Sequence, residues 1–222
     1  MTMKGVRLAF LNQGWLRVEL VNQIYELLKD PRYRLTIEYP TDQPVANNRN
    51  GIVYRFLQGD DDYLYMNDDD VIPWRNPLDF VERDLDILIF PCPIYKTEPQ
   101  DGQPLRWNIH YTTKDKKTIK EDVPGGLRKV VSGGSGALLI ARRVLEHPAL
   151  RGPFMDQYNE DGLRTNSEDL SFCDRARDAG FEVYAALCAP CSHNKPVDLL
   201  YLMKSYGKDA KSPAAERILK ER

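Results

Sequence analysis

Apolar positions along the chain follow two periods. Val6, Leu8 and Phe10 lie two apart, the spacing that puts side chains on one face of a strand, and Asn12-Gln13-Gly14 breaks the run. Leu16, Leu20, Ile24 and Leu27 then recur at steps of four and three, the helical period. Lys29-Asp30-Pro31 ends that helix, because proline disfavours helical geometry in the residue before it. Residues 35–39 predict the next strand. After a polar loop, Ile52, Val53, Phe56 and Leu57 predict a helix over 50–57, residues 59–62 a turn, and 63–66 a short buried strand that ends in Asn67-Asp68-Asp69-Asp70. Asn76-Pro77 opens a helix to about Glu82, and 87–90 is a further apolar strand. Strands alternating with helices predict an α/β fold with a mostly parallel central sheet and helices on both faces. Ligands of such sheets collect at the carboxyl ends of the strands.

The pattern then changes. Residues 97–126 are polar, carry Pro99, Pro104 and Pro124 and a charge cluster from Lys114 to Lys120, and predict an inserted hairpin or lid. Beyond Gly133-Gly134-Ser135-Gly136, residues 137–140 read as a strand and 142–146 as a short helix. Ser167-Glu168-Asp169 opens a helical face of Leu170, Cys173 and Ala176, which Ala179-Gly180 closes, since glycine accepts the left-handed cap. Residues 181–187 predict a last strand, and Leu199, Leu200, Leu202 and Met203 make 197–206 an amphipathic tail. The expectation is one domain over 1–222, with an insertion at 97–128 dividing 1–96 from 129–195, and a helical tail at 196–222.

Composition narrows the classes. The 222 residues are 42% hydrophobic and 29% charged with 15 prolines, ordinary globular values that argue against a coiled coil, a disordered chain or a collagen-like fibre. Lys+Arg 31 against Asp+Glu 33 leaves a net charge of -2, so no overall basic field gathers a polyanion and nucleic acid is not the expected partner. Apolar runs such as Ala137 to Ala141 fall far short of the ~20 residues that cross a bilayer. Charge at Lys4 and Arg7 stands where a secretory signal would be apolar, and four cysteines are too few for a disulfide framework; both point to the cytoplasm.

Candidate chemistry centres on Tyr63-Leu-Tyr-Met-Asn-Asp68-Asp69-Asp70-Val-Ile-Pro73. In extended backbone Asp68 and Asp70 project to one side, so two carboxylates at a strand terminus can meet a divalent cation, or a cation and a ribose; a solvated acidic turn is the plainer alternative. Glu168-Asp169 sits where the helix macrodipole alone stabilises carboxylates by roughly 0.3–1 kcal/mol. Cys188-Ala-Pro-Cys191-Ser-His193 lacks the second ligand pair of a structural zinc site, and Ser192 breaks the haem-attachment spacing. His193 is the histidine placed to be a ligand, whereas His110 and His147 read as surface residues. The glycine run lacks the third glycine of a dinucleotide fingerprint. Neither a phosphate-binding Gly-Lys-Ser/Thr nor a Gly-x-Ser-x-Gly elbow occurs.

Taken in order, an Asp-x-Asp after a buried strand (Asp68-Asp69-Asp70), a glycine-rich segment before a strand (Gly133 to Ala141), an acidic pair opening a helix (Glu168-Asp169) and a later histidine (His193) resemble a family 2-type glycosyltransferase with a GT-A fold. The resemblance covers about residues 5 to 195. It implies that Asp70 and His193, with Asp68 beside them, hold Mn2+ or Mg2+ across the diphosphate of a UDP- or GDP-sugar, and that Asp68 and Asp69 contact ribose and donor sugar. It also implies that Asn12, Gln13 and Tyr39 flank the base, that Arg49, in Pro44-Val-Ala-Asn-Asn-Arg49-Asn50, meets phosphate or ribose, and that Gly134, Ser135 and Gly136 face substrate. Asp169 would be the base of an inverting transfer and Glu168 would position donor or acceptor. Trp107 and Tyr111 are flat faces of the kind on which sugars stack, with packing under the insertion as their other reading. Two features depart from the family: Asn67 stands where relatives often carry an apolar residue, and 97–126 matches no family motif, which leaves the acceptor undefined. The rival expectations are a sugar nucleotidyltransferase and a catalytically silent nucleotide-sugar-binding module. The first calls for a glycine-rich, basic loop after the first strand, which Asn12-Gln13-Gly14-Trp15 is not.

Overall fold

A computed structural model describes residues 3–95, 105–113, 122, 123 and 125–196. The amphipathic tail, the Lys114 to Lys120 cluster and Pro99, Pro104 and Pro124 lie outside the described residues.

The first half runs β1 (Gly5–Leu11), α1 (Val18–Leu28), β2 (Arg34–Glu38), α2 (Val45–Gln58), β3 (Tyr63–Asp68), β4 (Val71–Pro73), a 3-10 turn at Pro77–Arg83, β5 (Ile87–Ile89) and β6 (Pro93–Tyr95). The second continues with β7 (Leu105–Trp107), β8 (Ile109–His110), β9 (Asp122–Val123), β10 (Leu127–Lys129), β11 (Ser132–Gly133) and β12 (Ala137–Ala141). It closes with α3 (Arg142–Leu145), β13 (Gln157–Tyr158), β14 (Arg164–Asn166), α4 (Glu168–Asp178), β15 (Val183–Ala186) and β16 (Cys191–His193).

Among the described residues, eight strands form the central sheet in the order β2-β1-β3-β12-β5-β15-β10-β9. Two crossovers through α1 and α2 make β2, β1 and β3 parallel, and β15 lies parallel to β5; β12 runs against both of its neighbours, and β10 pairs antiparallel with β15 and β9. Six strands therefore share one direction and β12 and β10 oppose it. This is the expected α/β architecture with a mostly parallel central sheet and helices on both faces, the β9–β10 pair extending the sheet edge.

The period-two pattern sorts the core into two layers. Val6, Leu8 and Phe10 of β1 and Tyr63 and Tyr65 of β3 face Leu20, Ile24 and Leu27 of α1. Ala9, Leu11, Leu64 and Met66 face Ile52, Val53 and Phe56 of α2 and Phe172, Cys173 and Ala176 of α4. Each large side chain so buried contributes roughly 1.5–3 kcal/mol. Gly180 follows α4 with φ +94°, as a left-handed cap requires.

Two expectations about local structure are corrected. The helix expected from residue 50 starts at Val45. Its first turns lack an apolar stripe and are held by polar burial instead: Asn48 Nδ2 donates to the Pro40 carbonyl at 3.3 Å, and Arg49 is buried among carboxylates. Nor is the acidic run extended. The β3 strand stops at Asp68 and Asp69-Asp70 turn into β4, so Asp68 and Asp70 meet different partners.

Candidate functional site

The acidic turn sits at the carboxyl end of β3. Asn67, fully buried, shapes it: its amide Nδ2 donates to the Val71 carbonyl at 2.8 Å and to the Asp68 carbonyl at 2.7 Å, while its Oδ1 accepts from the Tyr65 hydroxyl at 2.5 Å. Asn67 is thus the brace of the turn. Asp68 N–H donates to the Gly136 carbonyl at 2.8 Å, which ties the turn to the glycine segment.

From the turn the three acids diverge. Both oxygens of Asp68 accept from Arg49 Nη2, at 2.9 and 3.0 Å. The other Arg49 amine, Nη1, donates to Glu168 Oε1 at 2.5 Å, so one guanidinium, 3% exposed, bridges two carboxylates that belong to opposite halves of the chain. Burial raises Asp68 and Glu168 above the usual carboxylate range, and the Arg49 charge works against that rise in both. Burial and the neighbouring Asp70 charge also raise Asp69, against the lowering influence of the Gln13 backbone.

Asp70 meets His193. The short pairing of β16 with β4 sets His193 beside Val71 and brings its Nε2 within 3.6 Å of Asp70 Oδ2. Its Nδ1 lies 2.7 Å from the Pro93 carbonyl, which can only accept, so Nδ1 carries a proton and Nε2 is the nitrogen turned toward Asp70. Lys195 donates to the same Asp70 oxygen. Burial would raise Asp70, but the hydrogen bonds from His193 and Lys195 outweigh it and hold the carboxyl at about 2; the bond to Asp70 in turn lifts His193 to about 10.

The turn stands between two cavities. The smaller, about 190 Å³, is lined by Leu11, Asn12, Gln13, Gln43, Asn48 and the three acids. Asn12 is fixed there, its Nδ2 donating to the Phe10 carbonyl at 3.1 Å and its Oδ1 accepting from Gly14 N–H at 2.9 Å. Tyr39 stands beyond β2, half exposed, and stacks on Phe10 with ring centroids 6.1 Å apart. The larger cavity, about 650 Å³, lies across the turn and is lined by Arg49, Asp68, Trp107, the 134–136 segment, Glu168, Asp169 and His193.

Asp169 occupies the first turn of α4. Its Oδ1 accepts from Ser167 Oγ and from the Leu170 N–H at 2.8 Å, whereas Oδ2 faces Gly134, where a side-chain Cβ would come within 3.4 Å of it. A Cβ on Gly136 would likewise come within 3.8 Å of Asp68 Oδ2. Those two are ordinary contacts; what the glycines permit is the close approach of Asn108 Nδ2, 2.8 Å from a Cβ at 134, and of Val71 Cγ2, 3.1 Å from a Cβ at 136. Ser135 between the two glycines is buried, and its Oγ has no hydrogen-bond partner among the described residues. Trp107 is exposed at the cavity rim, while Tyr111 packs against the core layer beneath α2 and α4.

The donor set suits a divalent cation. Asp70 Oδ2 and, once a cation displaces its proton, His193 Nε2 would supply one oxygen and one nitrogen at a common point, with the histidine oriented by a backbone carbonyl in the manner of metal-ligating imidazoles. Asp68 is turned to Arg49. Among the described residues no group of three or more His, Cys, Asp or Glu side chains surrounds a metal position, so a cation there would take its further ligands from substrate or water. All four cysteines are free thiols. Lys195, bracing Asn67 and the buried Asn48 were missed by sequence reading; a cation two residues past His193 was the available signal for the first.

No protein-family model matches the chain, and no curated protein matches it in sequence. Among solved structures it is similar to A197 from STIV, at 20% identity and a TM-score of 0.54 over 86% of each chain, a likeness that shows a shared fold. Weaker similarities reach GalNAc-T7 solved with UDP, GalNAc and Mn2+ (10% identity, TM-score 0.46, 98% of this chain and 48% of that one) and UDP-glucose pyrophosphorylase complexed with UDP-glucose (8%, 0.47, 100% of both). No helix among the described residues is long and apolar enough to cross a membrane.

Proposed function

We propose that this protein is a metal-dependent glycosyltransferase of the GT-A type, moving a sugar from a nucleotide-diphosphate sugar to an acceptor hydroxyl with inversion. One observation carries the reading: Asp70 and His193 converge at the seam between a small polar cavity and a larger one whose wall presents Asp169. The nucleotide lies in the smaller cavity against Asn12 and Gln13, within the 1–96 half, with Tyr39 outside the residues that line it. Its diphosphate crosses the acidic turn, and the sugar enters the larger cavity beside Ser135, where the 129–195 half supplies the chemistry.

Asp70 and His193 would hold Mn2+ or Mg2+, which supplies Lewis-acid stabilisation of the departing diphosphate. The acceptor oxygen attacks the anomeric carbon, the bond from that carbon to the phosphate oxygen breaks with its electrons leaving on the diphosphate, and the hydroxyl proton passes to Asp169 Oδ2. Ser167 and the Leu170 N–H hold the other oxygen, which fixes the carboxylate's direction. The proton moves late, as charge develops on the acceptor oxygen and makes its transfer to the carboxylate favourable. Arg49 keeps Asp68 and Glu168 in register across the cleft.

The test is thermal denaturation with UDP, GDP and their sugars, with and without Mn2+, followed by assay of donor hydrolysis. A ligand bound to the folded state at a hundred times its dissociation constant stabilises by about 2.7 kcal/mol. The expected result is a nucleotide-dependent rise in melting temperature that Mn2+ enlarges and Asp70→Ala abolishes. No rise with any nucleotide refutes the reading; a rise without hydrolysis or transfer leaves a binding module in its place.

A further inference from the structure

We infer that Lys195 is the resident counter-ion of the acidic turn, and that it exchanges Asp70 for the donor diphosphate when a divalent cation takes its place. The inference rests on the nucleotide-sugar reading and adds a phosphate-binding residue to it.

Four observations place Lys195 in that role. Its Nζ donates to Asp70 Oδ2, the oxygen that also faces His193 Nε2, so the ammonium holds the coordination position a cation would need. The backbone carries it there: the preceding Asn194 N–H donates to the Asp70 carbonyl at 2.8 Å, which ties the segment after β16 to the acidic turn. The Lys195 charge acts on Asp68, Asp69 and Asp70 alike, so it offsets the mutual repulsion of three adjacent acids. Its side chain lines both cavities, on either side of the turn that a diphosphate would cross, and is about half exposed and therefore able to move.

An Asp70 carboxylate cannot give the same oxygen fully to an ammonium and to a divalent ion, whose charge is larger and more compact. Cation binding therefore releases Lys195. An unpaired ammonium beside a diphosphate then finds a charge-assisted hydrogen bond to phosphate oxygen. The two steps predict opposite effects of removing the charge. Without Lys195 the cation meets no competitor and binds more tightly, whereas the nucleotide loses a phosphate contact and binds more weakly.

The experiment measures Mn2+ binding to the nucleotide-free protein by electron paramagnetic resonance of unbound Mn2+, and UDP binding at saturating Mn2+ by calorimetry. It uses the full chain as wild type, Lys195→Met and Lys195→Arg. For Lys195→Met, Mn2+ affinity should rise about threefold to fivefold, the scale of one part-exposed ion pair, and UDP affinity should fall about tenfold. Lys195→Arg should keep UDP affinity within about threefold of wild type, because guanidinium also binds phosphate. If Lys195→Met leaves both affinities unchanged, or weakens both together, the exchange is refuted while the nucleotide-sugar reading stands. If wild type itself binds no UDP, that reading falls and the exchange with it.

Discussion

The two cavities on either side of the acidic turn are built by different means. The smaller is made by loops that leave parallel strands β1 and β2 and by the start of α2, and its lining is polar side chains held by backbone carbonyls, such as Asn12 and Asn48. The larger is walled by short antiparallel pieces, the glycine segment and the first turn of α4, and it presents an exposed indole together with carboxylates. A rigid polar pocket suits a ligand part that is always the same, and an open one with an aromatic rim suits a partner that varies. The turn at Asp68 to Asp70 belongs to both, and Arg49 couples them.

Perturbing one side at a time tests that division. The largest effect is expected at the wall that carries Asp169: on the proposed mechanism Asp169→Asn should cut transfer about 10³-fold, within the usual range for a lost general base, while leaving UDP affinity as it was. Parental transfer rates in that variant, measured with any accepted donor and acceptor, would show that the base is elsewhere. Next is the coupling residue. Arg49→Met leaves buried Asp68 and Glu168 without their shared cation, and urea unfolding should register a loss of about 3–5 kcal/mol; a loss under 1 kcal/mol would mean the two halves do not depend on the bridge.

At the seam the effect depends on pH. In the metal-free protein Asp70 holds the His193 imidazolium to about pH 10. A raised histidine pKa contributes stability that is complete below the unfolded value near 6.5 and is lost as pH rises through 10. Cation binding must displace that proton, so Mn2+ affinity should climb with pH between 6 and 8, by up to about tenfold per unit for one proton released. A flat profile, by titration with Mn2+ at fixed ionic strength, would remove His193 from the ligand set. The smallest effect belongs to the rim: Trp107→Ala should raise acceptor KM about fivefold without changing UDP affinity, and the reverse pattern would assign the indole to the donor.

How much of this was legible in the chain follows the range of the interactions. Strands β1, β2, β3 and β12 and helices α1 and α4 announced themselves, because a short apolar run or an apolar spacing of about 3.6 is displayed by a run of residues on its own. The start of α2 did not, since Asn48 and Arg49 are buried by polar contacts that leave no apolar signature. The extended geometry expected for Asp68 to Asp70 also failed: Asn67 folds the backbone there through carbonyls of residues further along the run. Asp69 and Asp70 fall in the resulting turn, and Asp68 and Asp70 face separate cations as a result.

The order of periodic segments, the acidic run after a buried strand and the acidic pair at a helix start were properties of the sequence alone, because each depends on residues within a turn or two of one another. The meeting of Arg49 with Glu168, 119 positions away, and of Asp70 with Lys195, 125 positions away, belonged to the tertiary structure. Strand order decides which loops share an end of the sheet, and only there do charges so distant in the chain come close enough for Coulomb attraction to select a partner.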